Sequence, residues 1–138
     1  MPGFSDYAEL KVLNLLFGQT AYSNPGTHYI ALLTALPDDT AVDPTATEPT
    51  YTGYARLAMP NNYTTWGSIA AAAGQAKNAV AFTFGTCTVG SGTVVAFAIC
   101  DALTLGTVIA WGSLVVNKVI SAGDVPQFAA NDLVISLD

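Results

Sequence analysis

A chain of 138 residues, 51% hydrophobic and 10% charged, has the length of one domain but less than half the usual charged share of about 25%. Four Lys and Arg against ten Asp and Glu give a net charge of −6 with no basic run, which excludes nucleic-acid binding through phosphate neutralisation. The longest apolar run, Val94 to Cys100, is strand-sized and well short of the ~20 residues of a membrane helix, and residues 1–11 carry Asp6 and Glu9 where a secretory signal needs a basic start and an apolar core.

These limits predict a single β-rich domain over residues 1–138, made in a cytosol, with no membrane partner. A surface this neutral suits contact with other protein, and self-association would cover the patches that a monomer leaves exposed.

Taken along the chain, Phe4 to Phe17 predicts a helix of about 3 to 4 turns, because Tyr7, Leu10, Leu13, Leu16 and Phe17 recur at spacings of three and four. Ser5 or Asp6 can cap its start, Glu9 follows Asp6 by three, and Gly18 is placed for a left-handed C-terminal cap. The spacing leaves open whether this stripe packs on the chain's own sheets or on a neighbour's. Gln19 to Pro25 reads as a turn. His28 to Thr34 reads as a strand whose continuous apolarity implies burial on both faces or beneath the helix, and Pro37 closes it. Residues 38–52, with Asp38, Asp39, Asp43, Pro44, Glu48 and Pro49, predict an exposed loop.

Tyr54 to Met59 predicts a strand ending at Pro60, followed by the polar segment Asn61 to Thr65, which Trp66 anchors. For Ile69 to Ala73, one helical turn and an extended segment both fit. From Lys77 onward closely spaced strands are expected at Ala79–Phe84, Thr93–Cys100, Thr107–Trp111, Leu114–Ile120 and Leu133–Leu137. Turns are expected at Gly90–Gly92, Asp101–Gly106 and Ser121–Asp124, while Gly112-Ser113 reads as a weak break or as a bulge in one long strand. The architecture predicted is an antiparallel β-sandwich or jelly-roll-like barrel with one N-terminal α-helix.

Few residues suggest chemistry. His28 is the sole histidine, and a nucleophile and an orienting acid would have to reach it through folding. Asp38, Asp39, Asp43 and Glu48 lack EF-hand spacing and read as a solvated acidic loop. Gly85 to Gly92 is followed by a strand rather than a helix N-terminus, so it reads as a hairpin and not as a phosphate cradle. Cys87 and Cys100 lie in apolar segments with no zinc-ligand spacing and read as buried thiols, with a disulfide open if their strands are neighbours. Asp101, Asp124 and Asp132 sit at turns. Trp111 reads as core. The expectation is therefore no catalytic residue, no cofactor and no metal. Tyr51, Tyr54, Arg56, Tyr63 and Trp66 are the interface candidates, being residue types enriched at hot spots and clustered in the polar centre of the chain, while packing within the domain's own core fits any one of them at least as well.

Pro2-Gly3-Phe4-Ser5-Asp6-Tyr7, leading through Leu13-Asn14 to Phe17-Gly18 and Thr20-Ala21-Tyr22, resembles the opening of short structural proteins of tailed bacteriophages. Gly53-Tyr54-Ala55-Arg56, Lys77-Asn78 before Ala81-Phe82-Thr83-Phe84, Ala110-Trp111-Gly112, and Ser121-Ala122-Gly123-Asp124 before Phe128-Ala129-Ala130-Asn131-Asp132 resemble the same family in order. Proteins of this group are often labelled tail fibre proteins, and similar small β-sandwich proteins serve as capsid cement or decoration proteins. A fibre is typically long, with repeats or heptads that this chain lacks. The resemblance thus implies a non-enzymatic capsid cement protein, a homotrimer bound to the major capsid protein on the virion surface and made in the host cytoplasm. The alternative is a tail fibre or a receptor- or carbohydrate-binding module using Tyr51, Tyr63 and Trp66. A hydrolase would require Asp101, Asp124 and His28 to meet in one cleft.

Overall fold

A computed structural model describes residues 3–18, 20–40, 43–67 and 74–136. In chain order the elements are β1 (Gly3–Phe4), α1 (Asp6–Leu16), β2 (Thr27–Leu33), a single 3-10 turn (Thr45–Thr47), β3 (Leu57–Pro60) and α2 (Tyr63–Trp66). Then come β4 (Gln75–Lys77), β5 (Phe82–Thr83), β6 (Ser91–Cys100), β7 (Val108–Ser121), β8 (Gln127–Phe128) and β9 (Val134–Ser136).

The fold is mainly β and antiparallel. A five-stranded sheet of order β1-β7-β6-β2-β3 is joined by two small two-stranded sheets, β4-β9 and β5-β8. This is a sandwich-like layering; the described residues form no closed barrel.

The continuous apolarity of β2 follows from its central place, with β3 on one side and β6 on the other. Successive side chains point to opposite faces of a strand. Ile30 and Leu32, opposite Ile99 and Phe97 of β6, therefore enter a large core with Trp66, Phe82, Phe84, Val94, Ile120 and Leu133. Ala31 and Leu33, opposite Ala98 and Ala96, enter a second cluster with Cys100, Val108 and Trp111. The rings in the large core meet edge to face: Trp66 on Phe82 at 5.5 Å, and Phe128 on Phe97 at 5.7 Å and on Phe84 at 6.2 Å. Each such pair contributes about 0.5–1.5 kcal/mol beyond its buried area.

Several expectations change in detail. Of the two readings of Gly112-Ser113 the structure takes one long strand, β7, with the irregularity just past that pair: Ala96 pairs with Ser113 and Val94 with Lys118. Leu114 to Asn117 thus stand opposite Val95 alone, a bulge that leaves Val115 fully exposed. Gly85 to Gly92 is not a hairpin, because β5 pairs with β8 whereas β6 pairs with β7 and β2. The strand expected over Ala79–Phe84 shortens to Phe82–Thr83. Within residues 38–52, Pro44, Pro49 and Tyr51 are buried, so long-range contacts hold much of that segment down. The reading of Ile69 to Ala73 lies outside the described residues.

Helix α1 begins at Ser5, whose side chain accepts from the Ala8 backbone N–H, and ends at Phe17 with Gly18 in the left-handed region at φ +68°. Its apolar stripe does not meet the sheet. Only Ala8 is buried, while Leu10, Leu13, Leu16 and Phe17 are exposed.

Candidate functional site

The interface candidates fall into two separate places. The first is a buried ion-pair network around Arg56. The guanidinium's Nε and Nη2 donate to Glu48 Oε1 at 2.8 and 2.6 Å, Nη1 donates to the carbonyls of Ala102 and Leu105 at 2.8 and 2.7 Å, and Nη2 also donates to Thr45 Oγ1 at 3.2 Å. All five guanidinium donors are thereby used. Asp43 adds a looser ion pair at 3.7 Å. The Tyr54 hydroxyl donates to Glu48 Oε2 at 2.6 Å and accepts from Leu32 N–H in β2 at 3.1 Å. Burial first, and then the hydrogen bond to Glu48, hold the Tyr54 phenol far above its usual range, so it stays a neutral donor.

This network ties together the segment of Asp43 to Glu48, the approach to β3, the C-terminal end of β2 and the turn of Asp101 to Gly106. That turn is built for it. Asp101 Oδ1 accepts from Thr107 N–H at 2.7 Å, and Gly106 has φ +74°, where an added Cβ would lie 2.6 Å from Asp101 Oδ1. Arg56 and Tyr51 are buried and Tyr54 half-buried, so these three candidates work inside the domain rather than on its surface.

The second place is a cleft of about 460 Å³, lined by buried Trp66, Ile99 and Ala110 and by His28, Asn62 and Tyr63. Asn62 Oδ1 caps α2 by accepting from Thr65 N–H at 3.0 Å, which sets Trp66 inward against Phe82 and leaves Tyr63 74% exposed. The His28 ring stands edge-on to Trp66 at 5.6 Å. Among the described residues, His28 Nδ1 and Trp66 Nε1 are buried without a hydrogen-bond partner. Burial pushes the His28 imidazole below its usual pKa. The cleft is therefore chiefly apolar, with one aromatic ring, Tyr63, presented outward.

The other candidates do not converge. Asp43 accepts from Thr45, Asp38 from Thr40 and Asp124 from Ser121. Asp101 and Asp124 flank opposite ends of the β6-β7 pair, which at 3.2–3.4 Å per residue separates them by roughly 30 Å, so they share no cleft with His28. Cys87 and Cys100 are buried free thiols, and burial pushes the Cys100 thiol up to about 12.

Sequence reading passed over Asn78, which is fully buried. Its amide donates to the carbonyls of Val80 and Ala129 at 2.9 and 2.8 Å, and its Oδ1 accepts from Leu133 N–H at 2.9 Å. Its backbone is also paired, with Leu133 and Asn131. It knits the strand that ends at Lys77 to the chain's last turn. No periodicity marks such a residue, since its partners Ala129 and Leu133 are more than fifty positions away.

A family model described as Podophage GP4 fiber I protein gp80 matches residues 3–136 of the chain. No curated protein matches it.

Proposed function

This chain belongs to the family of the podophage GP4 fiber I protein gp80, phage structural proteins of the tail-fibre type, and from that premise we propose that it is a non-enzymatic fibre component of a phage virion. The observation that carries this reading is the match across nearly the whole length, because it includes both the five-stranded sheet and the two small ones. The side chains add support. His28, Asp101 and Asp124 do not meet, the one dense polar cluster is spent on structure, and among the described residues no helix is long and apolar enough to cross a membrane.

The fibre reading takes precedence over the capsid cement role expected from the chain's shortness, because the family description names a fibre. A single β-rich unit of this kind fits a compact element of a fibre. A homotrimer and contact with the major capsid protein belong to the cement reading. A second reading, contact with a host surface glycan, is favoured by the cleft, whose lining includes the exposed Tyr63 ring, a flat apolar face with a polar tip.

Cryo-electron microscopy of particles lacking the protein, with and without added purified chain, tests the assignment. Added density projecting from the tail apparatus is the expected result. A regular lattice of density over the shell would establish the cement role instead, and particles that take up none would remove both. Loss of glycan retention by Tyr63→Ala, with density position unchanged, would mark the cleft as the receptor contact.

A further inference from the structure

The cleft beside α2 has a floor and two unlike walls. Its floor comes from the five-stranded sheet, where Phe4 of β1, Ala110 of β7 and Ile99 of β6 stand opposite one another in a single row. The short side chain of Ala110 between two large ones deepens the floor at that point. His28 of β2 and the α2 residues Tyr63 and Trp66 form one wall, and the small β4-β9 sheet closes the other.

Three properties restrict what fits. No Asp, Glu, Lys or Arg is among the described residues that line the cleft, although the chain carries a net charge of −6, so a charged occupant would find no counter-charge. The volume of about 460 Å³ is that of a small-molecule site. Two polar atoms in the wall have no partner among the described residues: Nε1 of Trp66, a residue only 8% exposed, and Nδ1 of His28. An indole N–H only donates, whereas an imidazole that burial keeps neutral, with its proton on Nε2, accepts at Nδ1. The wall therefore calls for one acceptor and one donor carried on a group that is otherwise apolar.

We propose that the cleft is a subsite for the acetamido group of an N-acetylated amino sugar, with its methyl on the floor at Ala110, its carbonyl oxygen accepting from Trp66 Nε1–H, its amide N–H donating to His28 Nδ1 and the sugar ring against Tyr63. This rests on the glycan reading of the cleft and names the class of sugar. A plain hexose brings only a hydroxyl to that position, and an apolar floor removes its water without replacing it. An O-acetyl ester brings the methyl and the carbonyl but no N–H for His28. The Tyr63 ring, 74% exposed, offers its flat face to the C–H side of the sugar. Neither buried nitrogen is open to water, so binding includes a small turn of the Trp66 ring.

Saturation-transfer NMR of the purified chain tests this, with N-acetylglucosamine and N-acetylgalactosamine beside glucose and galactose, each at about 10 mM. The acetyl methyl of at least one N-acetyl sugar should receive the strongest saturation, and the same sugar should shift the Trp66 emission. Trp66→Phe, which removes the N–H and keeps an aromatic ring, should weaken binding about tenfold and abolish the shift. Tyr63→Ala should weaken binding as well, with an unchanged thermal midpoint because the residue is exposed, and its result stands whether or not Trp66→Phe folds. Equal binding of the plain hexoses would overturn the acetamido subsite and leave the glycan reading in place. Silence from all four sugars would overturn both, and binding that Tyr63→Ala leaves unchanged would put the sugar outside this cleft and overturn the proposal.

Discussion

Replacing Arg56 with Met removes the charge at the centre of the buried network while keeping most of the side chain's volume. Glu48 Oε1 then loses both of its guanidinium donors, and the carbonyls of Ala102 and Leu105 lose theirs. The Arg56 and Glu48 side chains are only 1% and 10% exposed, so water does not readily take the missing donors' place. Removing one partner of a buried pair costs about 3–5 kcal/mol. Against a total stability of roughly 7–20 kcal/mol for a chain of this length, that is a large fraction. At about 3 °C per kcal/mol, the thermal midpoint should fall by about 9–15 °C.

Urea unfolding followed through the two buried tryptophans measures the loss directly. Arg56→Lys should lie between wild type and Arg56→Met, because a lysine keeps the charge but offers three donors in place of five. The Arg56→Met/Glu48→Leu double variant should lose less than the sum of the two single changes, since neither charge is left stranded. A loss below about 1 kcal/mol for Arg56→Met would refute this account. An unchanged midpoint with impaired assembly would return Arg56 to the role of surface anchor.

Three further outcomes follow from the same structure. Asn78→Ala strands two carbonyls and one N–H in the interior and should cost at least ~3 kcal/mol by urea unfolding, and Asn78→Asp should not rescue it because it turns a carboxylate oxygen toward the carbonyls of Val80 and Ala129. Gly106→Ala, forced to left-handed φ with its Cβ against Asp101, should destabilise by about 2–3 kcal/mol, whereas Gly18→Ala, at φ +68° with nothing within 4 Å, should cost about 1 kcal/mol. Burial lowers the folded-state pKa of His28 below its unfolded value of about 6.5, so its contribution to stability is complete above that value and is lost as pH falls from there through the folded pKa. The urea midpoint should therefore drop more steeply between pH 7 and 5 in wild type than in His28→Gln, and equal slopes would dismiss the effect.

What could be read from the sequence were features carried by neighbours in the chain. The Ser5 cap, Gly18, the central place of β2 and the turn at Asp101 to Gly106 each have a short-range chemical signature. The facing of α1 did not, because a stripe of leucines specifies a surface that must be covered and not what covers it. For Tyr51, Tyr54 and Arg56 the sequence left two places open, an interface or the domain's own core, because they sit in a polar stretch. The burial of Tyr54 and Arg56 depends on Glu48, Leu32 and the carbonyls of Ala102 and Leu105, brought together only by the pairing of β2 with β3 and β6. Trp66 and Tyr63, three residues apart, both stand among the interface candidates, yet one turn of α2 sends Trp66 inward as the anchor of its segment and Tyr63 out.

The sheet's two margins are poor edges for further pairing. One ends in β3, four residues long and closed by Pro60, which has no N–H to offer, and the other is interrupted by the outward excursion of Leu114 to Asn117. Neither margin gives an incoming strand a long, straight row of donors and acceptors. Copies of the chain at high concentration would thus lack the template on which open-ended, amyloid-like stacking propagates.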